Sequence, residues 1–126
     1  EKQCPLKDVA GMLRSFDYAA QTVVRETIDT RPLHADRVQG WAAVWTQWVG
    51  TSFLTGYLDA LEGSAVLPGK ADARDVLLDA FLLDKAFYEL NYEMNNRPGW
   101  IRVPLAGILA IAERQGAAPG GDNDGA

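Results

Sequence analysis

One segment of the sequence concentrates side chains suited to binding a polyhydroxylated ligand: "DKAFYELNYEMNNRPGW", residues 84–100. Lys85, Tyr88 and Tyr92 recur at three- and four-residue spacing, which places them on one face of a helix. Aromatic faces cover the C–H surfaces of a sugar, while phenol hydroxyls and an ammonium group bond its hydroxyls. The spacing indicates either the wall of a sugar-binding cleft or a central helix that is buried on both sides.

A second stripe on the same helix, about 200° away around the axis, predicts its core face. This stripe comprises Val76, Ala80, Leu83, Phe87, Leu90 and Met94. Phe81 and Asn95 extend the ligand-facing stripe at the same spacing. Glu89 and Glu93 flank that stripe, and we expect both carboxylates to be solvated.

The sequence lacks the motifs that would make this chain catalytic by itself. It has no glycine-rich nucleotide loop, no HxxxD-like catalytic loop and no Cys/His cluster with metal-ligand spacing. The single histidine, His34, falls in a predicted loop, and Ser15, Ser52 and Ser64 have no neighbouring base. We therefore expect the isolated chain to be inactive and to hold no metal ion.

The composition limits the possible partners. The chain has 126 residues, 48% of them hydrophobic, which suits a single domain with a core. Its net charge of -5 disfavours nucleic acid and anionic membrane surfaces as partners. The lone Cys4 and the lack of a signal peptide fit a cytoplasmic protein. Because the chain starts at Glu1 and enters a helix almost at once, we expect it to be part of a longer protein.

The pattern predicts an all-α fold of three long helices and a short C-terminal one. The helices are expected over residues 5–28, 36–61, 72–95 and 104–114, with Pro5 and Pro104 in first-turn positions. The arginine–proline pairs at Pro32 and Pro98 are predicted to end the first and third helices, and Asp72 is the predicted N-cap of the third. The predicted helical domain covers residues 1–115. Residues 116–126, rich in glycine, are expected to be a disordered tail.

Two helices carry further apolar stripes. On the first helix the stripe comprises Leu6, Val9, Ala10, Leu13, Phe16 and Ala20. On the second helix Trp41, Trp45 and Trp48 share one face, and we expect these large rings to bury much of the helix surface.

Two stretches resemble the C-terminal part of bacterial maltokinases: "PLKDVAGMLRSFDYAA", residues 5–20, and "LLDAFLLDKAFYELNYEMNNRPGWIRVPLAGIL", residues 77–109. The tryptophan-rich helix between them also fits that family, so the resemblance covers nearly everything before the tail. It implies the helical end of the C-lobe of an aminoglycoside-phosphotransferase-like, protein-kinase-like fold. In many bacteria such a kinase is fused behind a trehalose synthase, so a fused synthase domain is an implied partner.

Members of that family transfer the γ-phosphoryl group of ATP to maltose, giving maltose 1-phosphate for α-glucan and trehalose metabolism. Their catalytic aspartate lies in an HGD-type loop, and their Mg²⁺-binding aspartate lies in a DFE-type segment. Both precede the stretch that resembles residues 5–11, so this chain contains neither. The resemblance implies that this chain forms the acceptor-sugar side of the cleft. An upstream N-lobe and catalytic segment would bind ATP and Mg²⁺ in the parent protein.

The resemblance also assigns candidate maltose-binding residues. They are Lys85, Tyr88, Tyr92, Arg14, Asp17, Tyr18 and Trp100. The first three match the family motif most directly, and the next three lie on the helix that would follow the metal-binding segment. Trp100 either closes the sugar site or covers the core after the proline turn. Asp8 is expected to orient the neighbouring catalytic loop, and Asn95 to cap a helix end.

Two alternatives remain open at the level of sequence. The first is a related kinase acting on another acceptor such as an amino sugar, although Lys85 on the cleft wall would repel an amino group. The second is a non-catalytic helical module for binding or assembly, which the missing catalytic residues favour. Acceptor profiling separates the first alternative from a maltokinase. Light scattering, which detects self-association through an exposed apolar surface, bears on the second.

Overall fold

In a computed structural model, which describes residues 4–62 and 70–116, every regular element is a helix. The long helices are α1 (Pro5–Thr30), α2 (Ala35–Ala60) and α3 (Ala71–Asn96), followed by α4 (Arg102–Gly116). Short 3₁₀ turns at Pro32–His34 and Pro98–Trp100 precede α2 and α4. The prediction of an all-α fold is confirmed, and each predicted helix is present within two residues of its expected bounds. Residues 117–126 of the predicted tail lie outside the described part of the chain.

Two arginine–proline corners end α1 and α3 in the same way. Arg31 and Arg97 each precede a proline and leave helical geometry, with φ/ψ of -144°/67° and -142°/73°. Their backbone N–H groups still donate to the carbonyls of Thr27 and Glu93, at 2.7 and 2.8 Å. One 3₁₀ turn then follows each corner, because proline suits its first position. The helix breaks predicted at both prolines are therefore confirmed.

Helices α1 and α2 pack against each other as an antiparallel hairpin. At one end Leu6, Val9 and Ala10 are buried and pack against half-buried α2 side chains such as Leu54 and Leu58. At the other end the buried residues are Ala20, Val24 and Ala42, joined by half-buried Val38. Gly50 is half-buried beside α1, where a methyl group at this position would make an ordinary contact with Leu13 Cδ2 at 3.4 Å. The stripe predicted on α1 is confirmed as its core face.

The aromatic side chains of α2 divide between two environments. Phe53 belongs to the hairpin core, where its ring lies edge-on to Phe16 with 5.7 Å between centroids. Trp41 and Trp48 are 67% and 68% exposed, and Trp45 is also exposed, although Phe16 contacts its ring. The expectation that these tryptophans bury the helix surface is therefore wrong. Trp41 and Trp48 lie mostly outside the interface between α1 and α2, and Trp45 lies at its edge, where it contacts Phe16 of α1.

The predicted core stripe of α3 is also wrong. Val76 and Phe87 are 65% and 54% exposed, and Met94 is exposed too. The buried residues of α3 are instead Leu78, Ala86, Glu89 and Glu93. These residues recur at three- to eight-residue spacing and define a different face of the helix. Both stripes have helical periodicity, so spacing could not choose between them.

The chain divides into two compact units, Glu1–Leu82 and Leu83–Ala126. The first unit holds the α1–α2 hairpin and the beginning of α3, where Leu77, Leu78, Phe81 and Leu82 join the hairpin core. The second unit holds the rest of α3, the second 3₁₀ turn and α4, with Val103, Pro104 and Ile111 buried on α4. Asp72 lies inside the first turn of α3, which begins at Ala71, so its prediction as an N-cap is corrected.

Candidate functional site

The side chains of Lys85, Tyr88 and Tyr92 form an exposed ledge on α3 within the second unit. Tyr88 is 66% exposed and Tyr92 47%, and Lys85 is exposed as well. The Lys85 ammonium lies over the Tyr88 ring, with Nζ 5.3 Å from the centroid. The ledge therefore presents two phenol rings and one ammonium group to solvent, and groups of these kinds can bind a sugar.

The buried face of α3 beside this ledge carries two carboxylates. Glu93 is 1% exposed, and its Oε1 and Oε2 accept bonds from Arg97 Nε and Nη2 at 2.9 and 2.8 Å. Glu89, one turn earlier, is buried as well. The expectation that both glutamates are solvated is wrong. Burial of a carboxylate requires strong hydrogen-bond donors, and the bidentate guanidinium supplies them to Glu93.

The same arginine positions Trp100 after the proline turn. The Arg97 guanidinium carbon lies 4.6 Å from the centre of the Trp100 ring. Trp100 is half-buried, and the backbone N–H of Trp100 donates to the Arg97 carbonyl at 2.8 Å. The ring is therefore held by the arginine–proline corner. Of the two roles considered for Trp100, this contact describes a structural one at the corner, and closure of a sugar site stays a prediction.

Asn95 uses its side chain at the end of α3. Its Nδ2 donates to the backbone carbonyl of Asn91 at 2.9 Å, and Asn96 bonds Tyr92 in the same way. These bonds engage carbonyls in the last turns of the helix. Such bonds from a side chain to the backbone one turn earlier are local to the helix, and the supporting role of Asn95 stays a prediction.

The second group of candidates lies on α1, in the first unit. Arg14 is buried, and its Nη1 donates to Asp17 Oδ2 one turn along the helix. Tyr18, one turn from Arg14, is half-buried, and its carbonyl accepts a bond from Thr22 Oγ1 at 2.9 Å. Arg14 and Asp17 are thus brought together as an ion pair. That pair neutralises a buried guanidinium, which would be costly alone.

Asp8 is exposed in the first turn of α1, where its negative charge favours the helix N-terminus. Its expected role in orienting a catalytic loop stays a prediction. The structure thus offers two groups of candidates, one in each unit: the α3 ledge with its corner, and the Arg14–Asp17 pair with Tyr18.

Sequence reasoning missed the Glu93–Arg97 pair as an organising contact. A signal was present, because Glu and Arg four residues apart on a helix form a favourable pair. In the sequence, Arg97 stands next to Pro98 and so indicates only a helix stop. Its position just beyond the last helical residue allows it to reach back over the final turn.

No family model matches the chain, and no solved structure matches it significantly. Within residues 4–62 and 70–116, no three His, Cys, Asp or Glu side chains come together as a potential metal site. None of the helices in the same ranges is both long and apolar enough to cross a membrane.

Proposed function

We propose that this chain is the acceptor-sugar part of an ATP-dependent maltokinase, the helical end of a kinase-like C-lobe. The observation that carries the proposal is the exposed ledge of Lys85, Tyr88 and Tyr92, whose residues also match the family motif. In this proposal a longer parent protein supplies the nucleotide lobe, the catalytic base and the Mg²⁺ ligands. The isolated chain binds sugar and does not transfer phosphate.

The chemistry of the ledge suits a neutral disaccharide. The exposed faces of Tyr88 and Tyr92 offer apolar area to the C–H surfaces of two sugar rings. Lys85 adds donors for sugar oxygens, and its contact with the Tyr88 ring restricts the position of the ammonium. An amino sugar would place a second cation beside Lys85, which disfavours that acceptor. Maltose therefore fits the ledge better than glucosamine.

The test uses maltose kinetics of the intact parent protein. We expect Lys85→Ala and Tyr88→Ala each to raise the maltose KM about tenfold or more, since a lost hydrogen bond with an unmet partner costs about 1–3 kcal/mol. The KM for ATP should not change. A maltose KM that stays at the parent value in both variants contradicts the assignment of the site.

Phe87→Ala is the matched control for this experiment. Phe87 is an exposed aromatic residue next to Tyr88 in sequence, but it lies about 100° away around the helix. Its removal should leave the maltose KM unchanged. Acceptor profiling with maltose, glucose and glucosamine tests the substrate class, and a clear preference for glucosamine would replace maltose as the acceptor. The parent sequence before Glu1 should contain the HGD-type and DFE-type segments.

A non-catalytic helical assembly module is the second candidate, and the exposed tryptophan face of α2 favours it. Monomeric soluble proteins rarely leave a contiguous apolar face of this kind in water. The two candidates concern different helices, so they are compatible in one protein.

A further inference from the structure

We infer that the exposed face of α2 is a self-complementary surface that pairs antiparallel with the same face of a second copy of this chain. The inference rests on the exposed side of α2 and the groove beside it, and it is independent of the maltokinase proposal. Its residues share one side of the helix, at heptad-like three- and four-residue spacing. They are Arg37, Trp41, Val44, Trp45, Trp48, Thr51, Ser52, Thr55 and Asp59, all exposed.

The first observation is the distribution of charge along this face. It begins with a cation, Arg37, and ends with an anion, Asp59, and no charged residue occurs from Val38 to Leu58. The two charged positions are separated by roughly 33 Å at about 1.5 Å rise per residue. In an antiparallel pair with its two-fold axis at Trp48, Arg37 of each copy lies opposite Asp59 of the other. A parallel pair would instead oppose like charges at both ends.

The second observation is the distribution of side-chain size. The half of the face before Trp48 is bulky, with Trp41, Val44 and Trp45. The half after Trp48 is small and hydroxyl-bearing, with Thr51, Ser52 and Thr55. Antiparallel pairing about Trp48 places each bulky half against the small half of the other copy. Helices pack closely when large side chains of one meet small side chains of the other.

The third observation concerns the ring N–H groups of Trp41 and Trp45. A tryptophan that is buried at an interface needs a hydrogen-bond acceptor for its ring N–H. In this register Trp41 lies opposite Thr55 of the second copy, and Trp45 lies opposite Thr51. Threonine hydroxyls are acceptors that can rotate to suit the donor. The indoles of Trp41 and Trp45 can therefore be covered without leaving their ring N–H groups unsatisfied.

The size of the surface sets the expected strength. Trp41 and Trp48 are about two-thirds exposed and Trp45 somewhat less. With about 150–250 Å² for each aromatic side chain, the three rings leave roughly 350 Å² of apolar surface in water. A groove of about 330 Å³ between α1 and α2, lined by Ala19, Val23, Trp41 and Trp45, extends this surface. Stable interfaces bury about 800 Å² on each partner, so we expect a weak, reversible dimer with a micromolar Kd.

The test is sedimentation velocity of the full 126-residue chain over about 1–200 μM. The wild-type chain should convert from monomer to dimer and stop at two copies. Arg37→Asp and Asp59→Arg should each weaken the dimer about tenfold, because two cross-dimer attractions become repulsions. The double variant carrying both reversals should restore the wild-type Kd. Trp48→Gln, at the axis, should weaken the dimer about a hundredfold.

Asp36→Lys is the matched control for charge. It makes the same change in net charge as Asp59→Arg at an exposed site of the same helix, but about 100° around the axis from Arg37. It should leave the Kd unchanged. The inference is overturned if the chain stays monomeric throughout, as it would if this face binds a different protein. Association beyond two copies, or a double variant no better than the single ones, overturns it as well. Circular dichroism confirms that every variant is folded.

Discussion

Arg97 contacts both the end of α3 and the turn that follows it. Its backbone N–H donates to the Glu93 carbonyl, its guanidinium binds the Glu93 carboxylate through two nitrogens, and the same group covers the Trp100 ring. The backbone geometry before Pro98 directs the chain back across the end of α3. One side chain therefore joins the helix end to the turn that follows.

This corner yields a prediction about stability. Replacing Arg97 with alanine removes the bidentate partner of a buried carboxylate. Loss of one partner of a fully buried pair costs about 3–5 kcal/mol, but the arginine side chain is 47% exposed. Solvent screening lowers the expected loss in unfolding free energy to about 1–3 kcal/mol. Arg97→Lys should lose less unfolding free energy than Arg97→Ala, because lysine keeps the positive charge although it lacks the planar guanidinium.

Urea unfolding measures this loss, and Arg102→Ala is its control. Arg102 is an exposed arginine in the first turn of α4, so its removal should change stability by no more than about 0.5 kcal/mol. Equal stabilities of the Arg97→Ala and Arg102→Ala variants would show that the corner contributes nothing to folding.

At the scale of elements, the orientation of α3 is the largest difference between expectation and structure. Leu78 is buried in the hairpin core, while Val76, two residues earlier, is exposed. Sequence alone favoured Val76 as a core residue, because it begins an apolar stripe that continues to Met94. The buried face instead combines leucines near the start of α3 with Ala86 and two glutamates further along. A hydropathy pattern does not predict burial of such a mixed face, because charged residues normally face solvent.

The two faces of α3 can be compared by a pair of alanine substitutions. Leu78→Ala should lower the unfolding free energy by about 2–4 kcal/mol through lost burial and a residual cavity. Val76→Ala should change it by about 0.5 kcal/mol or less, partly because alanine has the higher helix propensity. Thermal or chemical unfolding monitored by circular dichroism checks both. A larger loss for Val76→Ala than for Leu78→Ala would restore the face predicted from sequence.

At the scale of the whole molecule, an acidic chain that exposes three tryptophans combines two opposing tendencies. A net charge of -5 keeps copies apart at low ionic strength, while the apolar face of α2 favours association. The charges on that face are confined to its two ends, so repulsion acts mainly through the rest of the surface. Moderate salt should therefore have two opposing effects on association. It screens the general repulsion, which favours association, and it screens the Arg37–Asp59 attraction, which disfavours it.

Association by the folded chain should also appear in its thermal stability. Because a second copy binds only the folded state, the melting temperature should rise with protein concentration. The Trp48→Gln variant should melt at a temperature that does not depend on concentration. Differential scanning fluorimetry or calorimetry over a hundredfold range of about 2–200 μM makes the comparison. A wild-type melting temperature that is constant over this range would contradict dimerisation of the native chain.

The sequence by itself determined the helical class, the helix bounds and the two corners. These features depend on local rules: three- and four-residue apolar spacing, and the geometry that proline imposes on the residue before it. It also determined that Lys85, Tyr88 and Tyr92 share a face, since periodicity alone requires this. Only the tertiary structure decided which faces are covered. Two stripes on α3 and the tryptophans on α2 were all apolar enough for a core, and the choice depends on which neighbouring helix packs there. Burial of Glu93 likewise depended on a donor, Arg97, that the chain brings back only after the helix has ended.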